Sequence, residues 1–271
     1  MTFTHDGPRS PITRFVRGYP VAVFVFLAYA LSWWPWIWFQ IDPVSVDSPM
    51  LPFGPLLAAF AVLAMKGGWQ SVKSLLARCF RWRIGPIWYA IALMLPLVTA
   101  LVAVELNLLS GASRVEAFSY PSLSELAARF LFNFILIGMG EEIAWRGFLL
   151  ERLLARRTVL VATFMVALIH LVWHAPLFGV EYHYSNILPW AIAVICFSVV
   201  ISWIYVRTGG SLLPAILGHT AVNTSGFLFG MFEAEDLVRM WWLWSFLWVL
   251  AAIAVFQFAG KRFWHTKTIV S

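Results

Sequence analysis

Long apolar runs divide this sequence and limit what it can fold into. Each run is roughly 17–25 residues long, which is the length of a transmembrane helix, and short charged segments separate the runs. A helix of this length crosses the ~30 Å hydrocarbon core of a bilayer because each residue adds about 1.5 Å. Charged residues make up only 12% of the 271 positions, against about 25% in a typical soluble domain. The pattern excludes a soluble globular domain and predicts an all-α, polytopic membrane protein.

The runs predict about eight transmembrane helices in a single transmembrane domain that covers residues 1–271. No cleavable signal peptide is apparent, because the first run is long enough to span the membrane and lacks a small-residue cleavage site. An amphipathic helix over residues 69–83 is expected to lie on the membrane surface. The predicted spans are residues 20–41, 50–65, 86–109, 123–150, 158–178, 187–206, 211–232 and 240–258.

Basic residues are concentrated in alternate loops. The positive-inside rule therefore places both termini in the cytoplasm, and the plasma (cell) membrane is the expected location. The net charge of +6 reflects this topology, so no nucleic-acid partner is expected. The basic segments contain Arg9, Arg14, Arg17, Lys66, Lys73, Arg78, Arg81, Arg83, Arg152, Arg156, Arg157, Arg207, Lys261, Arg262 and Lys267. The opposite loops contain Asp42, Asp47, Glu116, Glu181, Glu233, Glu235 and Asp236, with Arg114 and Arg239.

The fourth span contains two adjacent glutamates and an arginine at membrane depth, where an ionisable group costs several kcal/mol. Glu142 and Arg146 are four residues apart, so they share a helix face and are expected to pair. Glu141 is rotated by about 100° from Glu142 and points elsewhere. A structural ion pair with a spare carboxyl group is the alternative. Nearer the outer end of this span, Glu125 and Arg129 are also spaced to pair.

Histidines occur at four-residue spacings in two other spans. His170 and His174 share one helix face, and so do His219 and Asn223. Two histidines on one face can chelate a metal ion, although either pair can also serve in helix packing. A carboxylate, imidazoles and an amide in a dry cavity suit hydrolysis of an amide bond. The same groups suit Zn²⁺ held by Glu141, His174 and His219. Spacing alone does not choose between them.

The three groups together resemble the motifs of a known family of intramembrane endopeptidases, the CAAX-protease and bacteriocin-processing (CPBP) family. The core with these motifs is expected at residues 125–230. The motif of two glutamates, three residues and an arginine is similar to Glu141-Glu142…Arg146, followed by Gly147-Phe148. The second motif, which ends in histidine, is similar to the segment from His170 to His174, and the third is similar to His219…Asn223.

The resemblance implies an intramembrane catalytic cavity that faces the cytoplasm and a set of residue roles. Glu141 and His174 would activate water, while His219 and Asn223 would stabilise the oxyanion. Glu142 and Arg146 would support Glu141. The family pattern has phenylalanine at the position of His170, so packing or a hydrogen bond is expected for this residue, with a ligand role as the alternative. Zinc is the candidate cofactor.

The predicted function is therefore hydrolysis of a peptide bond in a membrane-associated or lipidated peptide. Membrane lipid and that peptide are the expected partners, and the sequence gives no indication of substrate identity or oligomeric state. Three other interpretations stay open: a proton-coupled transporter, a haem-binding subunit, and a non-catalytic immunity or scaffold protein. A transporter typically contains inverted repeats, and no repeat is visible in the sequence.

Overall fold

The computed structural model describes residues 10–42, 53–180 and 182–267. Within these ranges the chain is almost entirely helical and contains no β-strand, apart from an isolated bridge between Phe178 and Tyr182. The all-α prediction is therefore confirmed. The predicted start of the second span at Met50 lies outside the described residues, as do the loop charges of Arg9, Asp47 and Glu181.

Nine helices are found in the described ranges, and short 3₁₀ turns extend or connect several of them. The helices are α1 (Pro11–Gly18), α2 (Pro20–Ile41), α3 (Gly54–Leu76), α4 (Pro86–Leu109), α5 (Leu123–Leu154), α6 (Val159–Trp173), α7 (Ile187–Arg207), α8 (Leu213–Ser225) and α9 (Ala234–His265). The 3₁₀ turns are Ala77–Phe80, Ala175–Leu177, Tyr184–Asn186 and Gly226–Met231.

Six helices of the described chain are long and apolar enough to cross a membrane: α2, α4, α5, α6, α7 and α9. The second and seventh predicted spans correspond to α3 and α8, which do not meet the same length and hydropathy criteria. The 13 residues of α8 extend only about 20 Å, although Gly226–Met231 continues the segment as a 3₁₀ helix. The polytopic fold agrees with the sequence, and the count of eight spans stays a prediction.

A kink at two glycines divides α3. The backbone leaves helical geometry at Gly67 and Gly68, and Gly68 has a φ of 68°, a conformation that glycine adopts without steric cost. Beyond the kink, Val72 and Leu75 are buried while Lys73 is exposed, as expected for the predicted amphipathic helix. That helix ends earlier than predicted, because α3 stops at Leu76 and only the 3₁₀ turn Ala77–Phe80 continues it.

Helix α5 lies at the centre of the bundle. All residues from 140 to 150 are buried, whereas many large apolar side chains of the surrounding helices point outward, as lipid-facing residues do. Gly138 permits a close approach between α5 and α8, since a Cβ atom there would lie 2.8 Å from the carbonyl oxygen of Ile216. This packing brings the polar residues of α5 beside those of α8.

The helices run alternately up and down, so the bundle has two chemically different ends. We call the end that contains Lys73, Arg81, Arg83, Arg156, Arg157 and Lys261 the basic end. The opposite end contains Asp42, Glu116, Glu233, Glu235 and Asp236, and we call it the acidic end. Helix α5 begins at the acidic end and finishes at the basic end.

Candidate active site

Two wide helical segments flank the glutamate pair of α5. The stretches Asn133–Gly138 and Ile143–Leu150 are π-helical, and a short α-helical piece, Met139–Glu142, separates them. π-Helical turns inside α-helices occur frequently at functional sites. Both glutamates and Arg146 are buried, with 3% or less of each residue exposed. Charged groups at such depth need partners, and the two glutamates have different ones.

Glu142 belongs to a hydrogen-bond network that connects three helices. Its Oε1 accepts hydrogen bonds from Arg146 Nη1 and from His219 Nδ1, each at 2.7 Å. Arg146 also donates from Nη2 to Ser198 Oγ at 3.1 Å, which connects α5 to α7. The predicted Glu142–Arg146 ion pair is confirmed. The contact with His219 joins α5 to α8, so this network fixes the relative positions of the helices that carry the first and third motifs.

Glu141 faces away from this network. Its Oε2 accepts a hydrogen bond from His170 Nε2 at 2.8 Å and from Trp145 Nε1 at 3.2 Å. His170 therefore makes the hydrogen bond that was expected as one of its roles. Its ring also lies 4.8 Å from that of His174, centroid to centroid. These contacts hold the Glu141 carboxylate between α5 and α6.

His174 has a defined tautomer. Its Nδ1 lies 3.0 Å from the backbone oxygen of His170, and because a carbonyl oxygen only accepts hydrogen bonds, Nδ1 must carry a proton. In the neutral ring, Nε2 then has a free lone pair that can accept a proton or bind a metal ion. This arrangement suits either a general base or a metal ligand.

The candidate metal site includes His170, which was not in the expected ligand set. One ligand atom from each of Glu141, His170 and His174 lies within 4.8 Å of the others. Imidazole nitrogens and a carboxylate oxygen suit Zn²⁺, and three such ligands leave a coordination position open. His219 was expected as the third ligand, but among the described residues it does not belong to this cluster.

Two cavities meet at the polar cluster. The smaller has a volume of about 260 Å³ and is lined by Glu141, while the larger has about 400 Å³ and is lined by His170. His174, His219 and Asn223 line both. The structure therefore brings together residues from all three predicted motifs. Aromatic and aliphatic side chains form most of the larger cavity, among them Trp190, Phe197, Val222, Phe229, Trp241 and Trp244.

Asn223 is positioned by its own helix. Its Nδ2 donates to the backbone oxygen of His219 at 3.3 Å, which leaves a second amide hydrogen for another acceptor. His219 donates from Nδ1 to Glu142, so its Nε2 can donate only when the ring is protonated. The two side chains could thus offer hydrogen bonds to one oxygen atom in the cavity.

Both cavities extend from the polar cluster toward the acidic end. Their walls include Tyr182, the N-terminal half of α7 and the first turns of α9, and Arg129 near the start of α5. All of these segments lie at the acidic end. The resemblance implied a cavity that faces the cytoplasm, whereas the charge pattern implied cytoplasmic basic loops. The structure makes these two expectations mutually exclusive.

Arg129 is a cavity residue that was predicted to pair with Glu125. Glu125 makes no salt bridge with it, and Glu125 Oε2 instead accepts hydrogen bonds from the backbone N and the Oγ of Ser122 in a capping box at the start of α5. Arg129 instead lines the smaller cavity with Glu141. The sequence held no signal for this placement, because in a regular α-helix Arg129 and Glu141 would lie on different faces.

Comparison with known proteins adds a family to this geometry. Residues 123–225 match the family model described as type II CAAX prenyl endopeptidase Rce1-like. This part of the chain belongs to the CPBP family of intramembrane proteases. The Rce1-like segment contains all three motifs, from Glu141 to Asn223. Family and helices together identify an integral, multi-pass membrane protein.

A curated relative supports the same family. The chain is 23% identical over 144 residues to CAAX prenyl protease 2 of Methanococcus maripaludis. The match covers 50% of this chain and 51% of that protein, so it spans about half of the relative's length. The larger cavity also has walls from α9, which lies outside the Rce1-like segment. The expected core of residues 125–230 stays a prediction as a domain division.

Proposed function

We propose that this protein is an intramembrane endopeptidase that hydrolyses a peptide bond of a membrane-associated or lipidated peptide. One observation carries the proposal: a single cavity in a segment of this family is lined by Glu141, His174, His219 and Asn223. A carboxylate, an imidazole with a free nitrogen and two hydrogen-bond donors are the groups that amide hydrolysis requires.

In the proposed mechanism Glu141 and His174 activate water. The Glu141 carboxylate, held by His170 and Trp145, takes a proton from a water molecule as the oxygen attacks the peptide carbonyl carbon. The free Nε2 of His174 accepts a hydrogen bond from the same water. The proton then passes from Glu141 to the nitrogen of the leaving amine as the carbon–nitrogen bond breaks.

The opposite wall of the cavity stabilises the developing negative charge. Protonated His219 and the Asn223 amide donate hydrogen bonds to the oxyanion. Glu142 favours the protonated form of His219, since it accepts the Nδ1 proton at 2.7 Å. Arg146 in turn balances the charge of Glu142, so the supporting pair acts through His219.

Zinc is compatible with the same residues. Bound by Glu141, His170 and His174, the ion would supply a Lewis acid and lower the pKa of a bound water. In this version Glu141, His170 and His174 would hold the ion, and His219 and Asn223 would keep their role toward the oxyanion. Both versions require Glu141 and His174.

The larger cavity supports an apolar substrate. Its walls are mainly aromatic and aliphatic, which favours an apolar side chain or a lipid chain. We place the protein in the plasma membrane with both termini in the cytoplasm, in accord with the positive-inside rule. The cavity then opens toward the extracytoplasmic face, and the substrate presents its scissile bond from that side.

Replacement of the two activating residues tests the proposal. In proteoliposomes that contain a library of apolar peptides, wild type should release products that mass spectrometry detects. Glu141→Gln and His174→Ala should lower the rate by about 100- to 10,000-fold. Glu105→Gln, at an exposed glutamate of α4 that lines neither cavity, is the matched control. Folded variants that cleave at the wild-type rate would exclude this mechanism, and thermal unfolding of each variant reports whether it is folded.

A further inference from the structure

Arg129 is a cationic side chain at the cavity that the proposed chemistry does not use. It is exposed, and it lines the smaller cavity together with Glu141. No salt bridge joins it to Glu125 one helical turn earlier, whose Oε2 accepts the hydrogen bonds from Ser122, although the two charges lie close enough to attract each other. Within the described parts of the chain Arg129 has no ion-pair partner of its own. Its guanidinium group is therefore available to a ligand.

The π-helical segment of α5 aligns Arg129 with the catalytic glutamate. In a regular α-helix, residues four apart are offset by about 40°, so three such steps would displace Glu141 by about 120° from Arg129. A π-helix has i→i+5 hydrogen bonds and more residues per turn, which removes much of this offset across Asn133–Gly138. Accordingly Arg129, Asn133, Ile137 and Glu141 all line the smaller cavity.

Asn133 does not compete for the same ligand. Its Nδ2 donates to Thr224 Oγ1 at 3.1 Å, and both residues are buried. Arg129 and Glu141 are thus the two charged groups among the residues that line the smaller cavity, other than its histidines. One carries a fixed positive charge near the cavity mouth, and the other lies at its inner end.

The separation of these two residues corresponds to a short peptide. Twelve residues of helix rise at most about 18 Å, and an extended peptide covers about 3.3 Å per residue. The interval therefore holds no more than about five residues, and fewer once the two side chains reach into it. The planar guanidinium fork of arginine is well suited to a carboxylate, which it can bind through two parallel hydrogen bonds.

We propose that Arg129 determines specificity by binding a carboxylate of the substrate within about five residues of the bond that is cleaved. This inference rests on the proposed endopeptidase function. The carboxylate has two possible sources: the C-terminus of the peptide, or the side chain of an acidic residue at the same distance. In either case Arg129 fixes the register of the peptide and so selects the scissile bond.

Matched peptides test the inference in proteoliposomes. Peptides cleaved by wild type are prepared with a free C-terminal carboxylate, with a C-terminal amide, and as amides with glutamate in place of the last residue. The measured quantity is the ratio of kcat/KM for each carboxylate-bearing peptide to kcat/KM for the plain amide. Wild type should favour a carboxylate, and Arg129→Gln should lower this ratio by about 10- to 100-fold, the contribution of a charge-assisted hydrogen bond. Arg129→Lys should retain part of the ratio.

Arg114→Gln is the matched control, because Arg114 is an exposed arginine of the preceding loop that lines neither cavity. Its ratio should equal that of wild type. An Arg129-dependent ratio for the free C-terminus or for the glutamate peptide identifies the source of the carboxylate. Cleavage with the same ratio in wild type and Arg129→Gln overturns this inference and leaves the endopeptidase proposal intact. Failure of wild type to cleave any peptide overturns both.

Discussion

Two adjacent glutamates in this protein have different surroundings because a helix turns by about 100° per residue. Glu142 points to Arg146 and His219, which carry or can carry positive charge. Glu141 points to His170 and Trp145 and lines a cavity. A carboxylate neutralised by arginine is a poor base, whereas one with neutral donors beside a cavity remains available to water. The geometry therefore favours Glu141 for chemistry and Glu142 for support.

His170 connects the second motif to Glu141 and belongs to the candidate metal cluster. If zinc binds there, His170→Ala removes one of three ligands, whereas His219→Ala leaves the cluster complete. After equilibration with zinc and removal of free ion, we expect His170→Ala to retain far less metal than His219→Ala. Mass spectrometry of the metal content measures this directly and does not depend on activity.

His183→Ala is the control for that measurement, because His183 lines the larger cavity but lies outside the metal cluster. It should bind as much zinc as wild type. Loss of zinc in His219→Ala with full binding in His170→Ala would contradict the assignment and favour the ligand set Glu141, His174 and His219. Equal zinc content in all variants would show that the cluster binds no zinc.

Local geometry explains which site residues could be predicted from the sequence. The Glu142–Arg146 pair follows from four-residue spacing within one helix, so it needs no knowledge of the fold. The His219–Glu142 contact joins residues 77 positions apart, and only the packing of α8 on α5 creates it. Glu125 and Arg129 also have the four-residue spacing of an ion pair, yet Glu125 hydrogen bonds to the nearer Ser122 in the capping box.

At the scale of elements, the contact between α5 and α8 determines whether the site forms. Gly138 lies where the two backbones approach each other closely. A Cβ atom at this position would be 2.7 Å from Thr220 Oγ1 and 2.8 Å from the carbonyl oxygen of Ile216. A backbone carbonyl cannot move as a side chain does, so Gly138→Ala must push the helices apart.

We expect Gly138→Ala to lower both thermal stability and cleavage, since overpacking of this kind costs about 1–3 kcal/mol and displaces His219 from Glu142. Thermal unfolding in detergent and the peptide assay measure the two effects. Gly18→Ala serves as the control, because no atom lies within 4 Å of a Cβ added at Gly18. Wild-type stability and rate in Gly138→Ala would indicate that α8 can shift without harm to the site.

Some ends of the helices could be predicted from the sequence and others could not. Helices α2 and α4 begin at Pro20 and Pro86, and proline is favoured in the first helical turn, so their starts follow from the sequence. The predicted seventh span ran from residue 211 to 232, but the α-helix covers only Leu213–Ser225 and then tightens into a 3₁₀ turn. The π-helical segments of α5 depend on tertiary packing and leave no local sequence signal.

At the scale of the whole molecule, the two ends of the bundle differ in charge and the cavity lies toward one of them. The cavity lies toward the acidic end, and the short loops rich in lysine and arginine lie at the other end. The positive-inside rule predicts that the basic end faces the cytoplasm. The cavity mouth would then face the extracytoplasmic side, and cytoplasmic C-termini would be excluded as substrates.

Single cysteines at the two ends can determine the orientation. The background carries Cys79→Ser and Cys196→Ser, although the Cys79 thiol should itself react slowly, since burial raises its pKa to about 11. Tyr120→Cys lies in the exposed loop before α5 at the acidic end, and Ala155→Cys lies in the exposed turn after α5 at the basic end. In intact cells a membrane-impermeant maleimide should label Tyr120→Cys alone, and permeabilisation should expose both. Labelling of Ala155→Cys alone would show instead that the cavity mouth faces the cytoplasm, as the family resemblance implies. The basic loops would then face the extracytoplasmic side, contrary to the positive-inside rule.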